Sequence, residues 1–550
     1  MKLIIKYIGI LLIIIGGLIS SCEEDYLDRN PLNQISEAIF WNTPEDARLA
    51  LNGVYKRDGN WRSAFHIAEF FANLADNSVQ HIPSRYPMHV GAFAPTNTVA
   101  GFWNGSYQQI AKCHHFLENI DNVEMDADLK TQYIAEVRFF RAWEYYNLVQ
   151  WFESVPLVKK VLTMEEANSV TVDPKDEIVE FILNELDAVI PVLPVTRPSA
   201  EHGRVLRGAA YGVKVRLLMA EERWSEAATA CENIINLGVH SIDPDYRGLF
   251  DGSNEESPEN IFVSKYLAHQ VWHPLQLNLR PHTDGGWAHV LPTKDLVDSY
   301  LSQSGKPIEE CEIFQNADNF HEEFLTKDGE FYRDPRLYMT VYIDGIHEVG
   351  GVTYYGHPDR TSSGDEVGYN LGNTGYVTRK YVDEEFVGNI YEGGNDIPLI
   401  RYAEVLLNYL ESKIKAGDVI TQDLLDNTIN KLRLRESVNM PPVLIEDYNS
   451  GMDLWDNCVK RERRVELALE GLRLWDLIRW GESETLVDRT YYGMKLTENP
   501  EEYDAFDIDE NGYARIYTKF YKDYYHPWPI PQSELDINPN LQQKDNWIGR

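Results

Sequence analysis

The sequence predicts a mainly α-helical protein built from stacked helical hairpins, with long aromatic-rich loop insertions and a few short strands. Three observations carry that prediction. Apolar residues recur at helical spacing through two blocks, about 35–237 and 397–480. Between them, from about 243 to 395, the period gives way to Gly, Pro, Asn, Asp and aromatic residues. Finally, 43% of residues are hydrophobic and 12% aromatic, enough to fold those loops into a packed protein.

The first element is a leader. Lys2 and Lys6 introduce an apolar run that ends Leu18-Ile19-Ser20-Ser21-Cys22 and is followed by Glu23-Glu24-Asp25. A basic start, a short apolar stretch and small residues at the exit describe a secretory signal over residues 1–21. A cysteine directly after the small residues resembles a bacterial lipobox, in which Cys22 carries the lipid and residues 22–33 form a tether. Acyl chains anchor at ~0.8 kcal/mol per buried methylene, so several chains hold a protein firmly on a membrane. Residues 34–550 read as a single domain with a helical half to about 240, loops from about 243 to 395, and a helical and irregular remainder.

Within that domain, Ser36 is placed to cap a helix reaching Tyr55, with Pro44-Glu45-Asp46 as a restart. Trp103–Ile120, Leu129–Phe152 and Lys175–Ile190 each carry one apolar face. Two helix pairs follow: Gly208–Ala220 with Trp224–Leu237, and Pro398–Lys415 with Gln422–Arg435. Ala209, Ala210, Ala227, Ala228 and Ala230 permit close helix contact. Such pairs approximate the tetratricopeptide unit of roughly 34 residues, without its full motif. Strands are expected at Ile261–Lys265 and Tyr338–Ile343. Arg461–Trp480 reads as one helix with Val465, Ala468, Leu469, Leu472 and Trp475 on its apolar face, and with Arg463–Glu466 and Glu470–Arg473 as i,i+3 ion pairs. Trp528-Pro-Ile-Pro531 is expected to pack an extended terminal segment on the core.

The composition narrows the function. A formal net charge of −36 repels phosphate backbones, which excludes nucleic acid as a partner. No local basic patch stands out, which favours a neutral ligand. Cys113, Cys231, Cys311 and Cys458 are scattered without a CxxC, so no zinc site is expected; two disulfides and four free thiols both remain open. No GxSxG, HExxH, Walker loop or dinucleotide fingerprint is present, so no catalytic residue and no cofactor is assigned. A glycosidase needs two facing carboxylates, and 87 acidic residues make any such pair uninformative. Asp507-Ile-Asp-Glu-Asn-Gly512 has the spacing of a calcium loop, but Thr518 stands where that loop needs a bidentate glutamate, and a hairpin turn fits as well. His269, His273, His282 and His289 cluster in sequence, yet Pro274 disfavours the helix that a metal pair four apart requires, so no metal site is assigned.

Binding has better material. Glycans present apolar C–H faces together with hydroxyls, which aromatic platforms flanked by amide, carboxylate and guanidinium groups recognise. Two loop regions offer that mix, Asn73–Trp103 and Trp272–Tyr369. Tyr86, Trp272, Trp287 and Tyr355 are the candidate stacking residues, and Asp76, Asn77 and Arg280 the candidate polar ones.

Several local sequences are similar to the SusD/RagB family of surface lipoproteins, which are paired with TonB-dependent transporters in Bacteroidetes. They include Cys22-Glu-Glu-Asp-Tyr-Leu-Asp-Arg-Asn-Pro31, whose acidic triplet resembles a surface-export tag. Phe40-Trp41, Ala50-Leu-Asn-Gly-Val-Tyr55, Leu74-Ala-Asp-Asn77 and Arg138-Phe-Phe-Arg-Ala142 follow. Pro292-Thr-Lys-Asp-Leu-Val-Asp298, Leu399-Ile-Arg-Tyr-Ala-Glu-Val-Leu-Leu407, the Arg461–Gly481 stretch, Trp528–Glu534 and Asn538-Pro-Asn540 complete the order. The resemblance implies a tetratricopeptide-like helical domain whose inserted loops bind oligosaccharides at the cell surface, outside the outer membrane. It also implies a SusC-like TonB-dependent transporter as partner. A peptide-binding protein of the RagB kind, a surface glycoside hydrolase or esterase, and a transporter lid without a ligand of its own remain open.

Overall fold

The computed structural model describes residues 40–56, 65–317, 320–359, 364–368, 372–497 and 506–550. The leader, Cys22, the tether, Ser36 and Tyr369 lie outside the described residues.

Helix α1 (Pro44–Tyr55) starts at the expected restart. Pro44 sits where its missing N–H costs nothing, and Thr43 and Asp46 form a reciprocal capping box. Then come α2 (Asn97–Asn119), α3 (Ala127–Phe152), α4 (Lys175–Val189), α5 (Arg207–Ala220), α6 (Trp224–Asn236) and α7 (Tyr402–Lys415). Helix α2 begins before the expected Trp103, because Asn97 to Phe102 continue the same helix. Successive helices pack as neighbours: α1 on α2, α2 on α3, α3 on α4, α5 on α6 and α6 on α7. From Phe139 to Phe152, α3 buries aromatic residues on nearly every side, since loop segments cover the face its helical neighbours leave. A continuous buried apolar cluster runs from Trp41 to Trp547, with Trp528 packed against Trp151 at 4.1 Å between ring centroids.

The strands are short and, among the described residues, never exceed two per sheet. Antiparallel pairs join β1 (Ser78–Val79) to β3 (Leu291–Pro292), β2 (Asn260–Ser264) to β4 (Ile397–Arg401), and β5 (Arg489–Lys495) to β6 (Tyr513–Lys519). Strand β4 corrects the expected helix from Pro398: all five of its residues are buried, and a short, continuously apolar run carries no period that separates strand from helix. The expected strand from Tyr338 to Ile343 is mostly a helical turn, Pro335–Thr340, and only Val341–Tyr342 pairs, with Val377–Thr378. The expected helix 422–435 is interrupted at Thr428 into α8 (Gln422–Asn427) and α9 (Ile429–Arg433). All four described cysteines are free and buried, and burial pushes the Cys113 thiol up to about 12.

The largest correction concerns Arg461–Trp480. This stretch forms α10 (Lys460–Glu466) and α11 (Arg473–Arg479), separated by a bend in which Leu469 and Gly471 adopt left-handed φ of 62° and 75°. The i,i+3 pairs do not form; the charged side chains turn inward. Glu466 meets Arg401 at 2.8 Å, Arg435 at 2.9 Å and Arg336 at 2.9 Å, with all four side chains buried. Arg401 also binds Glu259 at 2.8 Å and Glu470 at 2.7 Å, and Lys380 binds Glu470 at 2.8 Å. Arg463 reaches Asp476 at 2.9 Å and donates to Asn408. Burial opposes charge on Glu466, but the guanidinium groups of Arg435, Arg401 and Arg336 outweigh it and hold its carboxyl well below the usual carboxylate range. A straight helix would place half of these groups in water; the bend brings them together where each has several partners, as buried charges require.

Arg401→Met therefore costs about 3–5 kcal/mol of stability, measured by denaturant unfolding, because it removes the guanidinium that Glu259, Glu466 and Glu470 share and leaves buried negative charge in excess. The lowered folded-state values of Glu466 and Asp476 stabilise the protein above the unfolded carboxylate range. Below about pH 5 the thermal midpoint of the wild type is therefore expected to fall as this contribution is lost, because the unfolded chain takes up protons on these carboxylates first.

Candidate functional site

The expected polar residues Asp76 and Asn77 lie inside the molecule. The Asp76 carboxylate is 2% exposed, accepts from Arg473 at 2.8 and 3.0 Å, and lies 3.2 Å from Arg464. Asn77 Oδ1 accepts from Arg464 Nε at 2.7 Å. Around them Lys519 Nζ donates to the carbonyls of Asn73, Ala75 and Ser78 at 2.6–2.8 Å, and Thr293 Oγ1 donates to that of Asp76. Burial lowers the Lys519 ammonium to about 7, against the attraction of Asp76. The Leu74-Ala-Asp-Asn77 motif is thus a clasp joining the N-terminal half to α10, α11 and β6. Tyr86 is likewise enclosed, 5.0 Å from the Phe70 ring. Arg280, 4% exposed, donates to Asp284, to Gln276 and to the Asp383 carbonyl. These four side chains are enclosed and bonded within the protein, unlike Trp272 and Trp287.

Trp272 and Trp287 are placed differently. They are 49% and 41% exposed on adjoining loops. After the helical turn Leu275–Leu279 the chain reverses, and the Trp287 and His289 N–H groups donate to the carbonyls of Leu277 and Asn278 at 2.8 and 2.7 Å. Gly286 permits the reversal, since a Cβ there would lie 2.1 Å from the Arg280 carbonyl oxygen. The hairpin Leu267–Val271 and the bridge His273–Gly393 then bring the segment bearing Trp272 against residues 389–396. Gly394 allows that approach, as a Cβ there would meet the Ala268 nitrogen at 2.2 Å. This second segment contributes Tyr391, 51% exposed and edge-on to Trp287 at 6.3 Å and 88°. Sequence reasoning missed Tyr391, although its setting, Gly388-Asn-Ile-Tyr-Glu-Gly-Gly-Asn395, has the aromatic and turn-residue mix used to choose the other loops.

The histidines seen in sequence each take a separate partner. His273 Nε2 bonds the Asn395 carbonyl, His269 pairs with Glu392, and His282 pairs with Asp365. His289 lies under Trp287 with ring centroids 5.3 Å apart, and His81 stacks on it at 5.0 Å and 13°. Its Nδ1 lies 2.8 Å from Glu69, and its Nε2 lies 2.5 Å from Arg85. Burial, reinforced by the nearby Arg85 guanidinium, lowers His81 to about 3 and keeps it neutral. Among the described residues no group of three His, Cys, Asp or Glu side chains could hold a metal ion. Asp509 accepts from the backbone N–H groups of Asn511 and Tyr513, so the Asp507–Gly512 stretch is folded as a turn.

Tyr355 sits half-buried on the loop 353–359, whose backbone is tied to Asp344 through the N–H groups of Gly356 and His357. Elsewhere, a cavity of about 420 Å³ lies between α2 and the terminal segment, floored by Trp103, Tyr107, Ile110, Val158 and Leu541.

This is a helical scaffold carrying an exposed aromatic face on long loops braced at both ends. Residues 258–547 match the profile of the SusD family, and residues 25–219 one described as starch-binding associating with outer membrane. A solved SusD-like carbohydrate binding protein from Bacteroides fragilis NCTC 9343 is 34% identical, with a TM-score of 0.83, covering 92% of this chain and 100% of that one. A SusD-like protein of Bacteroides ovatus is 22% identical over 84% of this chain and 80% of its own length. The starch-binding protein SusD of Bacteroides thetaiotaomicron is 22% identical over 80% and 76%. The chain belongs to the SusD family.

Placement sets the expected effect of mutation. Asp76→Asn strands Arg473 and Arg464 and costs about 3–5 kcal/mol, and Tyr86→Ala costs about 3 kcal/mol through its cavity. Trp272→Ala, on the surface, changes stability by less than about 1 kcal/mol. Denaturant unfolding of the three variants checks this order.

Proposed function

We propose that this chain is a non-catalytic, lipid-anchored protein of the outer cell surface that captures oligosaccharides and passes them to a partner TonB-dependent transporter. The observation that carries the reading is the exposed ring pair Trp287 and Tyr391, with Trp272 exposed on the neighbouring loop. Three large aromatic side chains stand half in water on loops whose backbone bonds and glycine contacts fix them. Exposing that much aromatic surface is unfavourable unless a ligand covers it, and sugar C–H faces suit it. The 34% identical Bacteroides fragilis structure, named as a carbohydrate binding protein, supports the same assignment. Among the described residues no helix is long and apolar enough to cross a membrane; in this reading the lipid on Cys22 supplies the attachment.

The full-length, detergent-solubilised chain is expected to be retarded in affinity electrophoresis by one class of polysaccharide. Trp287→Ala and Tyr391→Ala should each weaken that binding about tenfold, the loss typical of a central contact. Release of new reducing ends would replace capture with hydrolysis, and calorimetric heat from casein peptides without retardation would replace glycan with peptide. Cys22→Ala is expected to move the protein from the membrane to the soluble fraction; retention on the membrane would contradict the lipid anchor.

A further inference from the structure

The sequence shows no basic patch, but the fold brings one arginine, Arg85, to Trp287 through His289. Arg85 lies at the end of the turn Pro83–Arg85, far in sequence from Trp287, and its side chain is exposed. The His289 ring joins the two, 5.3 Å from the Trp287 ring and 2.5 Å from the Arg85 guanidinium. A guanidinium only donates, so His289 Nε2 accepts from Arg85 and the ring proton sits on Nδ1, from which it goes to Glu69 at 2.8 Å. Arg85 therefore spends one N–H on this contact and keeps the remaining donors of its fork.

The surrounding carboxylates are already engaged. Glu69 accepts from His289 and Asn278, and Asp284 from Arg280. Asp365 accepts from the backbone N–H groups of His282 and Thr283 and pairs with the His282 ring. Glu392 is taken by His269 and Asn389. Among the described residues none of them, nor any other carboxylate, lies within ion-pair distance of Arg85, in a chain with 87 acidic and 51 basic residues. Long-range repulsion from so acidic a surface makes an outward-facing guanidinium the one local feature able to offset the cost of bringing in a second anion.

Resting on the reading of the aromatic face as a glycan site, we infer that the site takes anionic oligosaccharides, with Arg85 binding a carboxylate or sulfate group of the sugar whose ring stacks on Trp287. This reverses the neutral-ligand expectation drawn from bulk charge. A planar fork beside an aromatic platform matches the geometry of an acidic sugar, in which the charged substituent projects from the rim of the stacked ring. Both sources of charge present the same oxygen acceptors to Arg85.

The test is calorimetric titration of the full-length, detergent-solubilised protein with three galactose-based probes of equal length: an oligogalacturonate, a sulfated galacto-oligosaccharide and a neutral galacto-oligosaccharide. One anionic probe is expected to bind at least about tenfold more tightly than the neutral one, a preference that shrinks as salt is raised. Whichever anionic probe binds more tightly identifies carboxylate or sulfate as the recognised group. Arg85→Gln is expected to bring the ratio of anionic to neutral affinity close to one, and Arg85→Lys, which keeps the charge but not the fork, to leave it in between. Trp287→Ala is expected to weaken all probes. Equal affinity for neutral and anionic probes, or a preference that survives Arg85→Gln, overturns the inference while leaving glycan capture standing. Absence of heat from every probe, together with no retardation by any polysaccharide, overturns both.

Discussion

The carboxylate of Glu466, buried among the guanidinium groups of Arg336, Arg401 and Arg435, is the constraint on which the rest of the structure depends. The charges come from four separate stretches of chain, and desolvating each costs several kcal/mol unless all arrive together. The network therefore specifies the fold as much as it stabilises it. It forces the bend between α10 and α11, fixes β4 against β2, and seats the helical turn at Arg336 beside α10. Its outer member, Lys380, carries the order towards the surface. The carbonyl of the next residue, Tyr381, accepts from Gln276, which lies in the turn whose Leu277 carbonyl holds the Trp287 N–H. Hydrogen bonds and the short backbone steps between them thus link the buried charges to the exposed tryptophan.

That path explains how loops can serve as a binding surface. A flexible loop would lose conformational entropy on ligand binding and weaken it. Here the loop backbones are tied down before any ligand arrives, by the reversal at Gly286, the bridge at Gly393 and the clasp around Lys519. Trp272, Trp287, Tyr391 and Arg85 stay exposed on that frame. The acidic exterior and the Arg85 guanidinium then act in sequence. The first disfavours polyanions in general, and the second makes one orientation of one kind of anion acceptable.

The helical half of the fold was legible in the sequence because its amphipathic period is set by two faces, one buried and one wet. Helices α4 and α6 fall within a residue of their expected limits for that reason. Strand β4 was not legible: its residues are buried on all sides, which removes the period. The bend within Arg461–Trp480 was hidden because Glu466 and Glu470 sit at spacings that suit exposed helical pairs, while their partners Arg336, Arg401 and Lys380 lie far away in the chain. At the site, Trp272 and Trp287 were visible as large aromatics in turn-rich loops. Asp76, Asn77, Tyr86 and Arg280 were chosen on the same chemistry but are enclosed, since a residue type good at binding sugars is equally good at bracing a loop. Arg85 lies in the first of those loop regions, but its lack of a carboxylate partner is a property of the fold alone.

The most direct measurement is a crystal structure of the protein with the tightest-binding oligosaccharide. The account predicts one sugar ring against Trp287, contact with Trp272 or Tyr391, and an anionic substituent in hydrogen-bond reach of Arg85. Ligand density elsewhere, for instance in the cavity floored by Trp103 and Tyr107, with the Trp272–Trp287–Tyr391 face bare, would contradict it.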